Sequence, residues 1–189
     1  MATIFTNIQV LPSADFGADG VPFHCHAPAT GLALVGFSVR AGEWIDQVTP
    51  LFAELLDDGS IGKELSGHSY GGRGGTPVEL RVRPSHVVIG LQTRSGRYVD
   101  AIRLLEARWD GAAIVTSETS WTPWIGGRGG VERPERLLEP LGSAVAIGIA
   151  GSAGAFVETL TLVGGQVLQL SAAAVTAAAG SRSARSASV

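Results

Sequence analysis

The chain has 189 residues but a single cysteine, Cys25. That excludes an intrachain disulfide framework, so the fold must stand on its core alone. Charge is sparse as well. With 14 Lys and Arg against 17 Asp and Glu, the formal net charge is -3, too weak a field to select nucleic acid or an anionic membrane as partner. Met1 to Phe16 lacks a basic start followed by an apolar run, so no secretory signal peptide is expected, and the location would be cytoplasmic or reached without a classical signal. The alanine-rich stretch near the C-terminus is short and accompanied by two glutamines, which makes it a poor membrane span. No nucleophile or metal constellation accompanies the acids, and His68 near Tyr70 does not make one, so neither an enzyme nor a cofactor is expected. The Gly-Gly-Arg-Gly-Gly stretches lack the Lys-Ser/Thr of a phosphate-binding loop.

What the chain has is glycine, 26 residues of it, and much of it recurs at a fixed period. Gly36 to Leu51, Gly90 to Leu105 and Gly148 to Val163 share one shape. In each, a glycine lies ten residues before an acid, another four before it (Gly42, Gly96, Gly154), an aromatic two before it (Trp44, Tyr98, Phe156) and a β-branched residue one before it (Ile45, Val99, Val157). The acids are Asp46, Asp100 and Glu158, separated by 54 (46 to 100) and 58 (100 to 158). A glycine loop repeats in phase: Phe16 to Gly20, Tyr70 to Gly75 and Ile125 to Gly130, whose last glycines at 20, 75 and 130 are 55 and 55 apart. Two markers keeping one period are the signature of a fold built from three units.

Along the chain, Met1 to Leu11 is β-branched and apolar and ends at Pro12, as expected of an edge strand or a docked arm. His24 and His26 would share one face of a strand, as a metal pair might. With no third ligand nearby, two surface histidines flanking a buried cysteine is the favoured reading, and no metal site is expected. Leu32 to Arg40 and the segment from Trp44 read as strands joined through Ala41-Gly42. Residues 52–67 read as an inserted loop or short helix. Arg81 to Arg83 reads as a half-exposed strand, His86 to Thr93 with Tyr98 to Glu106 as the central hairpin, and Asp110 to Pro123 as a second insertion. Val145 to Ile149 and Val157 to Val163 alternate with period two. Val167 to Leu170 is expected to add one more strand. Residues 1–170 are therefore expected to form one all-β domain, and 171–189 a low-complexity, Ala/Ser/Arg-rich tail.

A glycine-rich loop admits close approach to bare backbone, and its N–H groups can form a concave donor surface. The carboxylate of Gly-x-x-x-Asp supplies the matching acceptor. Donor and acceptor side by side suit a group with neighbouring hydroxyls, a sugar, and hydroxyl bonds to an ionised carboxylate are the strong members of such a set. Trp44 or Tyr98, placed on the acid's face of a strand, is expected to pack on the ring. The same glycines also serve turns that need positive φ, and Asp46 and Asp100 also suit turn capping. Arg73 and Arg128 fit either a ligand contact or plain solvation.

GGRGG with GLQTRSGRYVDAI resembles the jacalin-related, mannose-binding lectins, and the threefold use of both motifs is most similar to griffithsin-type members, over roughly residues 16–163. The resemblance implies a β-prism I of three four-stranded Greek-key sheets that binds mannose- or glucose-type glycans without catalysis. Carried over, one site would use Gly42, Trp44, Ile45 and Asp46 with Gly74 and Gly75. A second would use Gly96, Arg97, Tyr98, Val99 and Asp100 with Gly129 and Gly130. The third, Gly154, Phe156 and Glu158 with Gly20, departs from the pattern: its acid is longer, its aromatic has no hydroxyl, and Asp19 sits where the other loops carry arginine. That site is expected to be weak. Expected partners are glycans and further copies of the chain in a homo-oligomer or larger assembly, with no nucleic acid. The competing reading is a non-catalytic structural module whose N- and C-terminal arms contact neighbouring chains.

Overall fold

The computed structural model describes residues 2–15, 19–139 and 142–170; the tail expected at 171–189 lies outside them. In chain order the strands are β1 (Ala2–Val10), β2 (Val21–His26), β3 (Leu32–Ala41), β4 (Ile45–Leu55), β5 (Ile61–Ser66), β6 (Tyr70–Gly71), β7 (Thr76–Arg81) and β8 (His86–Ser95). They continue with β9 (Val99–Trp109), β10 (Ile114–Trp121), β11 (Ile125–Gly126), β12 (Val131–Glu132), β13 (Arg136–Leu137), β14 (Ala144–Ala153) and β15 (Val157–Leu170). Three antiparallel sheets result, with orders β1-β15-β14-β2, β5-β4-β3-β7 and β10-β9-β8-β12. Short strands extend two of them: β6 pairs with β4, β11 with β9 and β13 with β8. Each sheet thus has four strand positions, with an inner hairpin and two outer strands.

The inner hairpins β3–β4, β8–β9 and β14–β15 carry the repeated sequence, and their registers repeat too. Each has one register shift at the glycine ten before the acid (Gly36, Gly90, Gly148) and another beside the turn. At Gly36 the backbone has φ 153, and a Cβ there would collide with the Leu80 carbonyl of β7. These glycines therefore mark bulges that bend the inner strand against its neighbour, and they belong to the fold rather than to a site.

The third sheet closes the molecule. Its inner hairpin comes from the C-terminal end of the described chain, while its outer strands β1 and β2 come from the N-terminal end. β1 is an edge strand as expected, but it is engaged within the chain, pairing from Ala2↔Leu170 to Val10↔Val163. Its pairing with β15 uses one edge of the strand. The expected extra strand at Val167 to Leu170 is the continuation of β15, which runs through Gly164 and Gly165 with β1 as its partner from Val163 to Leu170.

Two further expectations are corrected. The segment 52–67 holds no helix: β4 runs to Leu55, the chain turns at Gly59 with φ 81, and β5 returns antiparallel to β4. Asp110 to Pro123 likewise turns at Gly111, with φ 100, into β10. Both are outer strands, only half-covered, so their apolar alternation is diluted with exposed charge and reads weakly. The core lies where the inner faces of the three sheets meet, among fully buried Leu34, Phe37, Phe52, Leu91, Leu104 and Ile149. A second cluster surrounds Trp109, whose indole N–H donates to the Leu56 carbonyl at 2.8 Å.

Candidate functional site

At one end of the molecule the three hairpin turns come together. Trp44, Tyr98 and Phe156 meet there, with ring centroids 5.7 Å (Trp44–Tyr98), 5.0 Å (Trp44–Phe156) and 4.9 Å (Tyr98–Phe156) apart. Their packing on one another was not among the expectations. The strands begin one residue later, at Ile45, Val99 and Val157, so the period of two does not reach the aromatics. Edge and tilted ring contacts at such distances are favourable beyond their area, and they fix the turns relative to one another.

Each turn faces a glycine loop of its own sheet. The turn at Gly42 holds its shape by Gly42 N–H donating to the Trp44 carbonyl at 2.9 Å, and Gly96 and Gly154 do the same toward Tyr98 and Phe156. The acids that follow are buried, 7 % exposed at Asp46, 5 % at Asp100 and 7 % at Glu158. Gly72 N–H donates to the Asp46 carbonyl and Gly127 N–H to the Asp100 carbonyl, each at 2.8 Å, which seats the loop on the start of the strand.

Beyond that seat lie the glycines that face the acids. A Cβ at Gly74 would collide with Asp46 Oδ1, and one at Gly129 with Asp100 Oδ1. Neither residue has a positive φ. Gly75 and Gly130 do, at 62° and 65°, so turn geometry alone explains glycine there. At Gly74 and Gly129 it does not; what a side chain would take up is the space over the carboxylate. No hydrogen bond reaches the Asp46 carboxylate among the described residues, and none from the protein uses the N–H groups of Gly74, Gly75, Gly129 or Gly130. Asp100 accepts one, from Gly96 N–H at 3.0 Å. Burial raises the Asp100 carboxyl above its usual range, opposed in part by that N–H and by Arg94 and Arg133.

The Asp100 carboxylate opens into a hollow of about 490 Å³ lined by Gly127, Arg128 and Gly129 of its own loop and by Gly42, Glu43 and Trp44 of the neighbouring turn. Arg73 and Arg128 are exposed, and neither guanidinium has a protein partner among the described residues.

The third turn is built differently. Asp19 and Gly20 N–H groups both donate to Glu158 Oε2, at 2.8 and 2.7 Å. Gly20 abuts Ala153 as Gly75 abuts Ala41 and Gly130 abuts Ser95. Asp19 therefore takes the place of Gly74 and Gly129, as the period of 55 also has it, and not that of the arginines to which it was assigned. Residues 16–18 of this loop lie outside the described residues.

No protein-family model and no curated protein matches the sequence. Solved structures do. Artocarpin, a lectin with mannose specificity, aligns with a TM-score of 0.61 at 10% identity, covering 84% of this chain and 98% of that one. A mannose-binding jacalin-related lectin from Ananas comosus gives 0.59 at 16% identity over the same shares, 84% and 98%. Malaysian banana lectin gives 0.58 at 16%, again over 84% and 98%. The fold is the jacalin-like β-prism I. At these identities the likeness speaks for architecture, and function must be argued from the site.

Within the prism, sequence reasoning missed two residues that hold the glycine loops in place. Arg40 donates from Nε to the Gly74 carbonyl at 2.7 Å and from Nη2 to the Gly75 carbonyl at 2.9 Å. Arg94 reaches the Gly129 and Arg128 carbonyls at 3.2 and 3.3 Å. Both lie six residues before their acid; the third unit has Ser152 there, paired with Thr159. The signal was present as an arginine shared by two of three aligned repeats. Tyr70 anchors the first loop by stacking on Phe23, centroids 4.1 Å apart, and burial followed by the nearby Cys25 pushes its phenol up to about 12. His24 and His26 do share a face, with rings 4.4 Å apart, and burial and the first ring lower the His26 imidazole. No cluster of three or more metal-ligating side chains occurs among the described residues.

Proposed function

We propose that this protein is a non-catalytic, carbohydrate-binding lectin for mannose- or glucose-type glycans, with two sites. One joins Asp46 to the bare backbone of Gly74 and Gly75, the other Asp100 to that of Gly129 and Gly130. The observation that carries the reading is the unanswered pairing in each: a buried carboxylate with free acceptor capacity beside amide N–H groups with no protein acceptor. Adjacent sugar hydroxyls donate to the carboxylate and accept from the amides, and the bonds to the carboxylate are charge-assisted. The turns holding Gly42, Trp44 and Ile45 and Gly96, Arg97, Tyr98 and Val99 border the sites and supply the aromatic floor. Mannose specificity in artocarpin and mannose binding in the pineapple protein support the choice of sugar.

A single monosaccharide contact of about millimolar strength is worth only about 4 kcal/mol. Useful affinity then comes from both sites engaging one glycan surface, with further copies of the chain adding to it. In this reading residues 1–170 are the binding domain and 171–189 an appended tail. The test is calorimetric titration with methyl mannoside and methyl glucoside. Wild type should show two sites, Asp46→Ala or Asp100→Ala one each, and the double variant none. Binding to neither sugar, or equal binding by the folded double variant, rejects the proposal.

A further inference from the structure

The third turn keeps the hydrogen bond of the other two, Gly154 N–H to the Phe156 carbonyl, but its acid is bonded to the loop amides. We propose that Glu158 is a built-in occupant of the third glycine-loop cradle, a latch that ties the N-terminal strands to the C-terminal hairpin and replaces a bound hydroxyl with a protein carboxylate.

Two departures from the repeat act together. The extra methylene of Glu158 carries its carboxylate to the loop, where Oε2 accepts from both Asp19 N–H and Gly20 N–H at 2.8 and 2.7 Å. These are the positions of Gly74 and Gly75, and of Gly129 and Gly130, whose N–H groups have no acceptor on the protein among the described residues. The second departure is Asp19. In the other units a Cβ at this position would run into Asp46 Oδ1 or Asp100 Oδ1. Here a side chain is tolerated, and its carboxylate pairs with Arg97 of the adjacent turn at 3.2 Å. Both of those groups are about three-quarters exposed, so the ion pair adds little, whereas the two amide bonds to a buried carboxylate are the stronger element.

The place of the contact explains why a latch is useful there. The first two units are continuous in sequence, with hairpin and outer strands linked by short connections. The third joins segments 138 residues apart, Gly20 to Glu158, and that closure carries a larger chain-entropy cost. Asp15 reinforces the same junction: it is 9% exposed, with one oxygen accepting from Thr93 Oγ1 and the other from Leu160 N–H. The third cradle is thus spent on closing the prism.

The part of this inference that concerns sugars rests on the two-site reading above; the latch does not. Two measurements on the full chain separate them. In thermal unfolding, Glu158→Ala should lower Tm by several degrees, while Glu158→Gln, which keeps an acceptor oxygen, should retain most of the difference; Asp46→Ala, which removes no protein hydrogen bond, should shift Tm least. A Glu158→Ala chain that melts with wild type, or a Gln variant no better than Ala, overturns the latch. In calorimetry with methyl mannoside, Asp19→Gly combined with Glu158→Asp should raise the number of sites from two to three. A folded double variant that stays at two overturns the claim that Glu158 is what fills the third cradle. If wild type binds no mannoside, the carbohydrate reading fails while the melting series still decides the latch.

Discussion

The Asp46 and Asp100 turns and the Glu158 turn share a backbone and differ in the length of the acid and in the residue, glycine or Asp19, that faces it. With aspartate, the carboxylate lies against the loop glycines without accepting from their amides; with glutamate, it accepts from two loop amides. The comparison teaches that a repeated motif is not a repeated function. A cradle of donors and an acceptor is open to a ligand only while its halves are not bonded to each other, and a longer acid turns it into an internal joint.

The largest expected effect comes from removing both open carboxylates. Asp46→Ala with Asp100→Ala should abolish measurable mannoside binding, each single change costing its own site on the order of 10- to 100-fold, as for a hydrogen bond to a charged group. Next, Gly129→Ala should silence the Asp100 site by a similar factor with little change in Tm, because its added Cβ occupies the carboxylate's space without a positive φ to strain. Gly130→Ala sharpens the contrast: its φ of 65° should cost stability, about 1 to 2 kcal/mol. Smaller again, Arg94→Ala or Arg40→Ala should weaken its site roughly threefold to tenfold by releasing loop carbonyls, an indirect loss on the order of one ordinary net hydrogen bond.

The smallest effect is in stability. Burial raises the folded Asp100 carboxyl, so between the ordinary carboxylate range and that raised value the native state holds the proton that the unfolded chain has released. Stability therefore falls as pH rises through that window and stays lowered above it. Asp100→Asn should melt no lower than wild type at neutral pH, with the comparison shifting in favour of wild type as pH falls below the window. Sugar binding at the Asp100 site should weaken on acidification from the same raised range.

Much of the architecture was legible because the repeat recorded it. The repeated glycines at 36, 90 and 148, the turn glycines at 42, 96 and 154 and the in-phase loops mark three hairpins, each with its glycine loop. The outer strands β5 and β10 were not legible as strands, since half-covered edges mix apolar and charged residues without clean alternation. The packing of the aromatics on one another was not legible for a definite reason: Trp44, Tyr98 and Phe156 sit just before their strands, where side-chain direction is set by the turn. Arg40 and Arg94 went unread because an arginine bonding to carbonyls of a distant loop leaves no mark on local periodicity.

The sequence by itself determined three units, their phase, and which residues in each turn and loop are able to meet, because glycine and acid spacing is a property of the chain's own geometry. The tertiary structure decided which of the three cradles stay open. That depends on whether a carboxylate meets the amides of a glycine loop in bonding geometry, which is fixed only when the sheets close around the common core.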